Sequence, residues 1–484
     1  MSPTDDRDGR TSTGIAGLDE VLDGGFIPGR SYMLRGRPGT GKSLLALAYL
    51  IDGVERGEDC LLVALEETEA DIRRNAAAVG LDIGGITVLD LTPESSAFTD
   101  DGTYDVFDPG TVEERSLTET ITQRVREVEP TRVVIDPMTQ LRYLAPDEYQ
   151  LRKQILALTR FLEQVGATLV FTTQATSDHS DEDFQFMADG VIEIDNGETG
   201  RTISVPKFRG SKTRGGTHTL RIRDSGLSVY PELDPNHHRP FESESIPSGI
   251  PEFDEQLHGG IERGTVTIIS GPTGVGKTTT GAQFMKEAAG RGERSAIYLF
   301  EEDERTFLER CTDVNIPVDR MIERETLAIE EIEALEYTPQ EFANTVRRDV
   351  EEAGTQIVMI DGINGYELSI RGDEHTFRSE IHRLCRYLKN MGVTVVLIEE
   401  IASVTGDFQA TEGEISYLAD NIVFLRYIEM DGELRKVVGV LKKRTSDFQR
   451  TLREFEITQH GIKIGDPLTG LRGILRGTPE QPSE

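Results

Sequence analysis

The segment GRPGTGKS (residues 36–43) recurs in the second half of the chain as GPTGVGKT (271–278). Each matches the pattern of a phosphate-binding loop. Its glycines free the backbone to wrap an anion with N–H groups, and its lysine reaches the terminal phosphates. Each follows a β-rich run, SYMLRG or TVTIISG, and opens a helical segment, LLALAYLIDGVERG or TTGAQFMKEAAGRG. The separation of Lys42 from Lys277 also links Thr13-Gly14-Ile15 to Ser248-Gly249-Ile250 and Leu18-Asp19-Glu20 to Phe253-Asp254-Glu255. It links Glu66-Glu67 to Glu301-Glu302, and Lys207 and Arg209 to Lys442 and Arg444. A constant spacing across five motifs marks a duplication. Asp136 matches Asp361 at a smaller separation, so the second copy has the shorter middle.

Within each copy, short apolar runs alternate with helical segments. The runs are SYMLRG, CLLVALEE, RVVIDP and TLVFTTQ, then TVTIISG, SAIYLFEE, IVMIDG and TVVLIEE. Near-continuous apolar strands are those buried on both faces of a parallel sheet. The expected fold is α/β, with two tandem domains, each a mostly parallel twisted sheet flanked by helices. The first domain is expected over 1–234 and a linker over 235–247, broken by Pro235, Asn236, His237, His238 and Pro240. The second is expected over 248–484, with a short C-terminal tail. The two linker histidines have no ligand partners at useful spacing, which argues against a metal there.

The 484 residues carry 86 acidic and 52 basic side chains, a net charge of −34. Only 11 of the basic residues are lysine. A dispersed acidic surface argues against nucleic acid, which needs clustered cations. It fits a protein of a saline cytoplasm, where salt screens the self-repulsion. The start, MSPTDDRDGR, has neither the basic opening nor the apolar run of a signal peptide. The apolar stretch Leu44 to Ile51 is far shorter than the ~20 residues a membrane span requires. A cytoplasmic location away from membranes is therefore expected. Cys60, Cys311 and Cys385 show no CxxC spacing and read as reduced core residues.

The chemistry expected at the loops is ATP binding with Mg²⁺. Gly36, Gly39, Thr40, Gly41, Lys42 and Ser43 form the first candidate site, and Gly271, Gly274, Val275, Gly276, Lys277 and Thr278 the second. Ser43 and Thr278 are candidate Mg²⁺ ligands. Asp136 and Asp361, each ending an apolar run, are the candidate acids that hold the ion through water. One glutamate of Glu66-Glu67, and one of Glu301-Glu302, is expected to activate the attacking water. The adjacent like charge raises its proton affinity toward a useful range. Lys207 and Arg209, like Lys442 and Arg444, stand two apart on a strand and hence on one face. Such cations suit a neighbouring subunit's γ-phosphate.

Taken together, the opening TGIAGLDEVLDGG, both glutamate pairs and the closing REFEITQHGIKIGDPL resemble the KaiC-like branch of the RecA family. The resemblance covers nearly the whole chain. It implies two RecA-like ATPase domains assembling as double-ring hexamers with ATP between subunits. It also implies signalling use and a Ser/Thr autokinase activity in the second domain. Within T411-EGEIS-YLADNI, Ser416 matches the family's phosphoacceptor serine and Thr411 an upstream threonine, while Tyr417 replaces a second phosphoacceptor threonine. Gln174 ends the fourth run as a candidate γ-phosphate sensor; the second copy has Glu399-Glu400 there. Two other readings compete. One is a nucleotide-gated interaction module with negligible turnover. The other is a DNA recombinase, for which the basic loop KFRGSKTR (207–214) speaks and the charge balance does not. The sequence does not identify the protein partner.

Overall fold

The computed structural model describes residues 9–92, 109–143, 147–174, 181–197, 200–368, 374–401, 415–430 and 432–469. The chain divides into two compact units, Met1–Glu232 and Leu233–Glu484. In the first, nine strands form one sheet: β1 (Ser31–Gly36), β2 (Cys60–Ala64), β3 (Thr87–Asp90), β4 (Arg132–Asp136), β5 (Thr168–Gln174), β6 (Gly190–Gly197), β7 (Gly200–Phe208), β8 (Thr217–Arg223) and β9 (Gly226–Tyr230). Their order is β3-β2-β4-β5-β1-β6-β7-β8-β9. The strands from β3 across to β6 run parallel. An antiparallel meander continues from β6 to β9.

The second unit opens with a short hairpin, β10 (Ser245–Ile246) with β11 (Ile261–Glu262). Its own nine-stranded sheet follows: β12 (Val266–Gly271), β13 (Ser295–Leu299), β14 (Leu327–Glu331), β15 (Ile357–Asp361), β16 (Thr394–Glu400), β17 (Asn421–Met430), β18 (Glu433–Lys443), β19 (Arg453–Thr458) and β20 (Gly461–Pro467). The order β14-β13-β15-β16-β12-β17-β18-β19-β20 repeats that of the first unit. The fold is thus the expected α/β pair of RecA-like domains with mostly parallel sheets.

The apolar runs become central strands because both faces are covered. Tyr32 and Leu34 of β1 pack into one layer with Leu62 and Val134. Met33, between them, packs into the other with Val63, Ile135 and Phe171. The second unit divides its strands likewise, Ile268 to one side and Ile269 to the other. Cys60, Cys311 and Cys385 are buried and unpaired. Burial pushes their thiols up to about 11, 12 and 12, which leaves them inert at neutral pH.

Residues 235–247 lie along the second unit. Arg239 N–H donates to Asn390 O at 3.0 Å and Asn390 Nδ2 to Pro235 O at 2.5 Å. His237 stacks on Tyr387. Among the described residues, no cluster of His, Cys, Asp or Glu could hold a metal by itself, and no helix is long and apolar enough to cross a membrane.

Each phosphate loop leads into a helix, α1 (Lys42–Glu55) or α2 (Lys277–Gly290). The turn into each helix requires glycine. Gly41 and Gly276 stand at φ 107° and 115°, in the left-handed region. A Cβ at Gly276 would also lie 2.5 Å from Ile457 Cδ1.

A single cation anchors α1 to the sheet. Arg132, at the start of β4, is 1% exposed. It pairs with Glu58 at 2.8 Å and Asp52 at 2.9 Å, and donates to the carbonyls of Tyr49 at 2.7 Å and Ser12 at 3.0 Å. Gly53 makes room for it, since a Cβ there would stand 2.6 Å from Arg132 Cδ. Truncation would empty a buried site and strip the Arg132 bonds from two carboxylates and two carbonyls, of which Asp52 keeps Arg56 and Glu58 keeps Thr131. Arg132→Ala is therefore expected to destabilise the first unit by about 3 kcal/mol, read as an earlier urea transition of that unit alone in full-length protein.

Candidate functional site

The second unit gathers its expected site residues at the carboxyl edge of β12, β13, β15 and β16. A cleft of about 330 Å³ there is lined by Gly274, Gly276, Lys277, Thr278, Glu301, Glu302, Arg310, Asp361 and Glu400, among others. Lys277 is buried; its Nζ donates to Pro272 O at 3.0 Å and pairs with Glu400 Oε2 at 3.4 Å. Thr278 Oγ1 donates to Asp361 Oδ1 at 3.1 Å. A hydroxyl and a carboxylate so placed are hard oxygen donors that suit Mg²⁺, with phosphate and water completing the shell. Burial, then the charge of Glu302, holds the Asp361 carboxyl well above its ordinary range, against the Thr278 hydrogen bond.

In the first unit, Lys42 Nζ donates to Arg37 O at 2.9 Å. Burial lowers its proton affinity, and the charges of Asp136 and Glu66 oppose that. Asp136 accepts a hydrogen bond from the Thr172 hydroxyl on β5. Ser43 is exposed at the mouth of the loop. Gln174 ends β5 directly beside Gly36, and its Nε2 donates to Glu66 Oε2 at 2.9 Å. The expected sensor, loop and first glutamate thus share one edge.

The two glutamates of each pair have different surroundings. Glu67 accepts from Asn75 Nδ2 at 2.9 Å. Glu302 is gripped by both terminal nitrogens of Arg310, one at 2.8 Å. Asn75 and Arg310 lie on the helices Glu69–Ala77 and Glu304–Asp313, at matching positions of the repeat. The same helical position therefore ties down the second glutamate in both units. Glu66 is bonded instead to Gln174 beside the loop, and Glu301 accepts from the Gly365 backbone and lines the cleft. Burial, and next the Glu400 carboxylate, raises the Glu301 carboxyl above the ordinary range. The sequence motifs single out neither Asn75 nor Arg310, although the repeat spacing marks both.

The paired cations are also unequal. Lys207 Nζ donates to Gln185 O at 2.6 Å, and Lys442 Nζ to Ser416 O at 2.8 Å. Arg444 contacts Tyr417 O at 3.2 Å, and Arg444 and Arg209 lie 3.8 Å and 3.9 Å from Asp420 and Asp189. The lysines are committed to carbonyls of their own chain, while both arginine side chains stay about half exposed. Ser416 lies on a single tight turn, Ile415–Tyr417, and Tyr417 stacks on His382. Thr411 falls outside the described residues.

A family model described as "ATPase: KaiC" matches the chain twice, over residues 11–234 and 246–469. The chain is 28% identical to the circadian clock protein KaiC3 of Synechocystis, over 97% of this chain and 94% of that one. It is 26% identical to the circadian clock oscillator protein KaiC of Acaryochloris marina, over 97% and 91%, and to that of Synechococcus elongatus, over 96% and 91%.

The geometry separates the two glutamates experimentally. Glu301→Gln is expected to slow single-turnover nucleotide hydrolysis at the second loop by about 100-fold or more, as loss of a general base does. Glu302→Gln should slow it by less than about tenfold, because Glu302 faces Arg310. Equal losses would refute the assignment. Because the Glu301 carboxyl is raised, its basic form disappears as pH falls through a value above the ordinary ~4.3 for glutamate. The acid limb of the wild-type rate profile should lie above that value.

Proposed function

This chain belongs to the KaiC family of ATPases, and we propose that it is an ATP-hydrolysing signalling protein whose two phosphate loops each bind Mg-ATP. The observation that carries the reading is the convergence of Lys277, Thr278, Asp361 and Glu301 on one cleft, with Lys42, Asp136 and Glu66 arranged likewise in the first unit. Backbone N–H groups of the loops and the first turns of α1 and α2 hold the phosphates. Lys42 and Lys277 meet the β- and γ-oxygens. Ser43 with Asp136, and Thr278 with Asp361, would hold Mg²⁺, which neutralises phosphate charge. Glu66 and Glu301 take the proton of the attacking water. The intact glutamate pairs favour an enzyme over a passive nucleotide-gated module, and the net charge of −34 speaks against a recombinase. Lys42→Ala and Lys277→Ala are each expected to remove about half of the nucleotide bound at saturation, read by equilibrium dialysis. Unchanged stoichiometry in both variants would defeat the two-site reading.

The exposure of Arg209 and Arg444 supports an assembly reading. We propose a homohexamer with ATP at the subunit boundaries, in which these arginines meet a neighbour's γ-phosphate while Lys207 and Lys442 brace the segments beside them. ATP binding then favours assembly by mass action. In a saline cytoplasm, salt screens the −34 charge of each chain. A monomer by light scattering, at high salt with saturating Mg-ATP, would sink this reading.

We further propose Ser416 as the autophosphorylation site, with Thr411 as the next candidate in a single-site reaction. Lys442 fixes the main chain at Ser416 beside the cationic strand. Tyr417 does not substitute for a threonine, since its hydroxyl stands several ångströms further from the backbone. After incubation with Mg-ATP, mass spectrometry should find phosphate on Ser416 in the wild type and lose it in Ser416→Ala. No phosphate on residues 403–417 of the wild type would leave an ATPase without kinase function.

A further inference from the structure

The two phosphate loops are closed by side chains that differ in charge. The first loop glycine of each unit has its Cα partner on the neighbouring parallel strand: Gly36 pairs with Gln174 and Gly271 with Glu400. The two positions are equivalent by register, one a neutral amide and the other a carboxylate. Gln174 spends its amide donor on Glu66 at 2.9 Å. Glu400 turns to the loop lysine itself, 3.4 Å from Lys277 Nζ. Its strand end is anchored, because the Glu400 carbonyl accepts from Asn364 Nδ2 at 3.3 Å. Of the other carboxylates lining the cleft, Glu302 is neutralised by Arg310, Asp361 accepts from Thr278, and Glu301 feels the added charge of Glu400.

We propose that Glu400 makes the second site select a nucleoside diphosphate over a triphosphate, by competing with the γ-phosphate for the Lys277 ammonium. The inference rests on the reading of the loops as nucleotide sites. The β-phosphate of either nucleotide shares Lys277 with Glu400, and a triphosphate then sets a further charge beside that carboxylate. A diphosphate ends one phosphate earlier and meets less of the repulsion. In a half-buried cleft, like charges interact more strongly than in water. The first site lacks the conflict, since the amide of Gln174 can donate to a phosphate oxygen. The two loops of one chain are thereby set to different nucleotides: the first accepts triphosphate readily, and the second rests on diphosphate.

The test uses full-length chain with Mg²⁺ and fluorescent methylanthraniloyl derivatives of ATP and ADP. In a Lys42→Ala background, which isolates the second site, the ADP derivative should bind several-fold more tightly than the ATP derivative. Adding Glu400→Gln should move the ATP-to-ADP affinity ratio toward ATP by about tenfold, the scale of one carboxylate–phosphate repulsion at an interior dielectric near 20 with salt present. The reciprocal Gln174→Glu, in a Lys277→Ala background, should move the ratio of the first site toward ADP by a similar factor. It places the charge in the other unit, so a folding defect in one variant does not decide the outcome. Ratios that stay within about twofold after both exchanges would overturn the proposal. A second site that binds neither derivative, beside a first site that binds both, would instead remove the nucleotide reading of that site and the proposal with it.

Discussion

Lys42 and Lys277 are ammonium groups sunk to 7% and 8% exposure at the mouth of a strand-to-helix turn. A cation that far from water is tolerable only where anions and dipoles face it. The helix that follows each loop adds its positive end at the same point, so negative groups must collect around it. Each loop supplies one carbonyl, Arg37 O or Pro272 O, within 3.0 Å. The remainder comes from the carboxyl ends of the neighbouring strands, which carry Asp136 and Glu66 in the first unit and Asp361, Glu301 and Glu400 in the second. The order of the parallel strands follows from this requirement as much as from apolar burial. It brings β2 and β4, which lead to the acids of the first unit, next to each other with only β5 between them and β1, and it sets β13, β15 and β16 in the corresponding places of the second.

The central strands were legible because burial on both faces writes them as continuous apolar runs. The outer meander was less so. Segments such as GRTISVPKF and THTLRIR are only partly buried, so polar residues interrupt them. The loops, the hydroxyl residue after each lysine and the acid at each strand end were legible from motif and repeat spacing alone. The difference in surroundings within each glutamate pair was not. It depends on which helix turn faces Glu67 or Glu302, and only the folded positions of Asn75 and Arg310 show that. The commitment of Lys207 and Lys442 to carbonyls of earlier segments, at Gln185 and Ser416, likewise needed the packed structure. The stretch 235–247 reads as a linker because proline and histidine break its pattern, yet its backbone bonds to Asn390 follow from no local signal.

The repeat also shows which requirements are electrostatic and which are tied to a particular side chain. Glu58 and Glu293 occupy equivalent positions of the two copies. In the first unit, Glu58 is held by the buried Arg132, which starts a strand in the middle of the sheet. In the second, Glu293 is held by Arg263 at 3.0 Å and Arg291 at 3.1 Å, which come from quite different parts of the chain. The carboxylate at the end of the loop helix stays, and the cation that neutralises it has moved. What the fold demands at that point is a paired charge, and more than one backbone position can deliver the partner.

The edge that faces the phosphate loops follows the opposite logic. Its backbone register is the same in both units, Gly36 with Gln174 and Gly271 with Glu400. Here the position is fixed by parallel-strand hydrogen bonding, and the side chain is free to differ without cost to the sheet, because it points off the strand end into the cleft. A change of amide to carboxylate there leaves the core untouched and alters the field at the loop lysine and at the neighbouring glutamate. Duplication of a domain thus yields two cradles of the same shape, and a single side chain at the strand end is enough to give them different electrostatic characters.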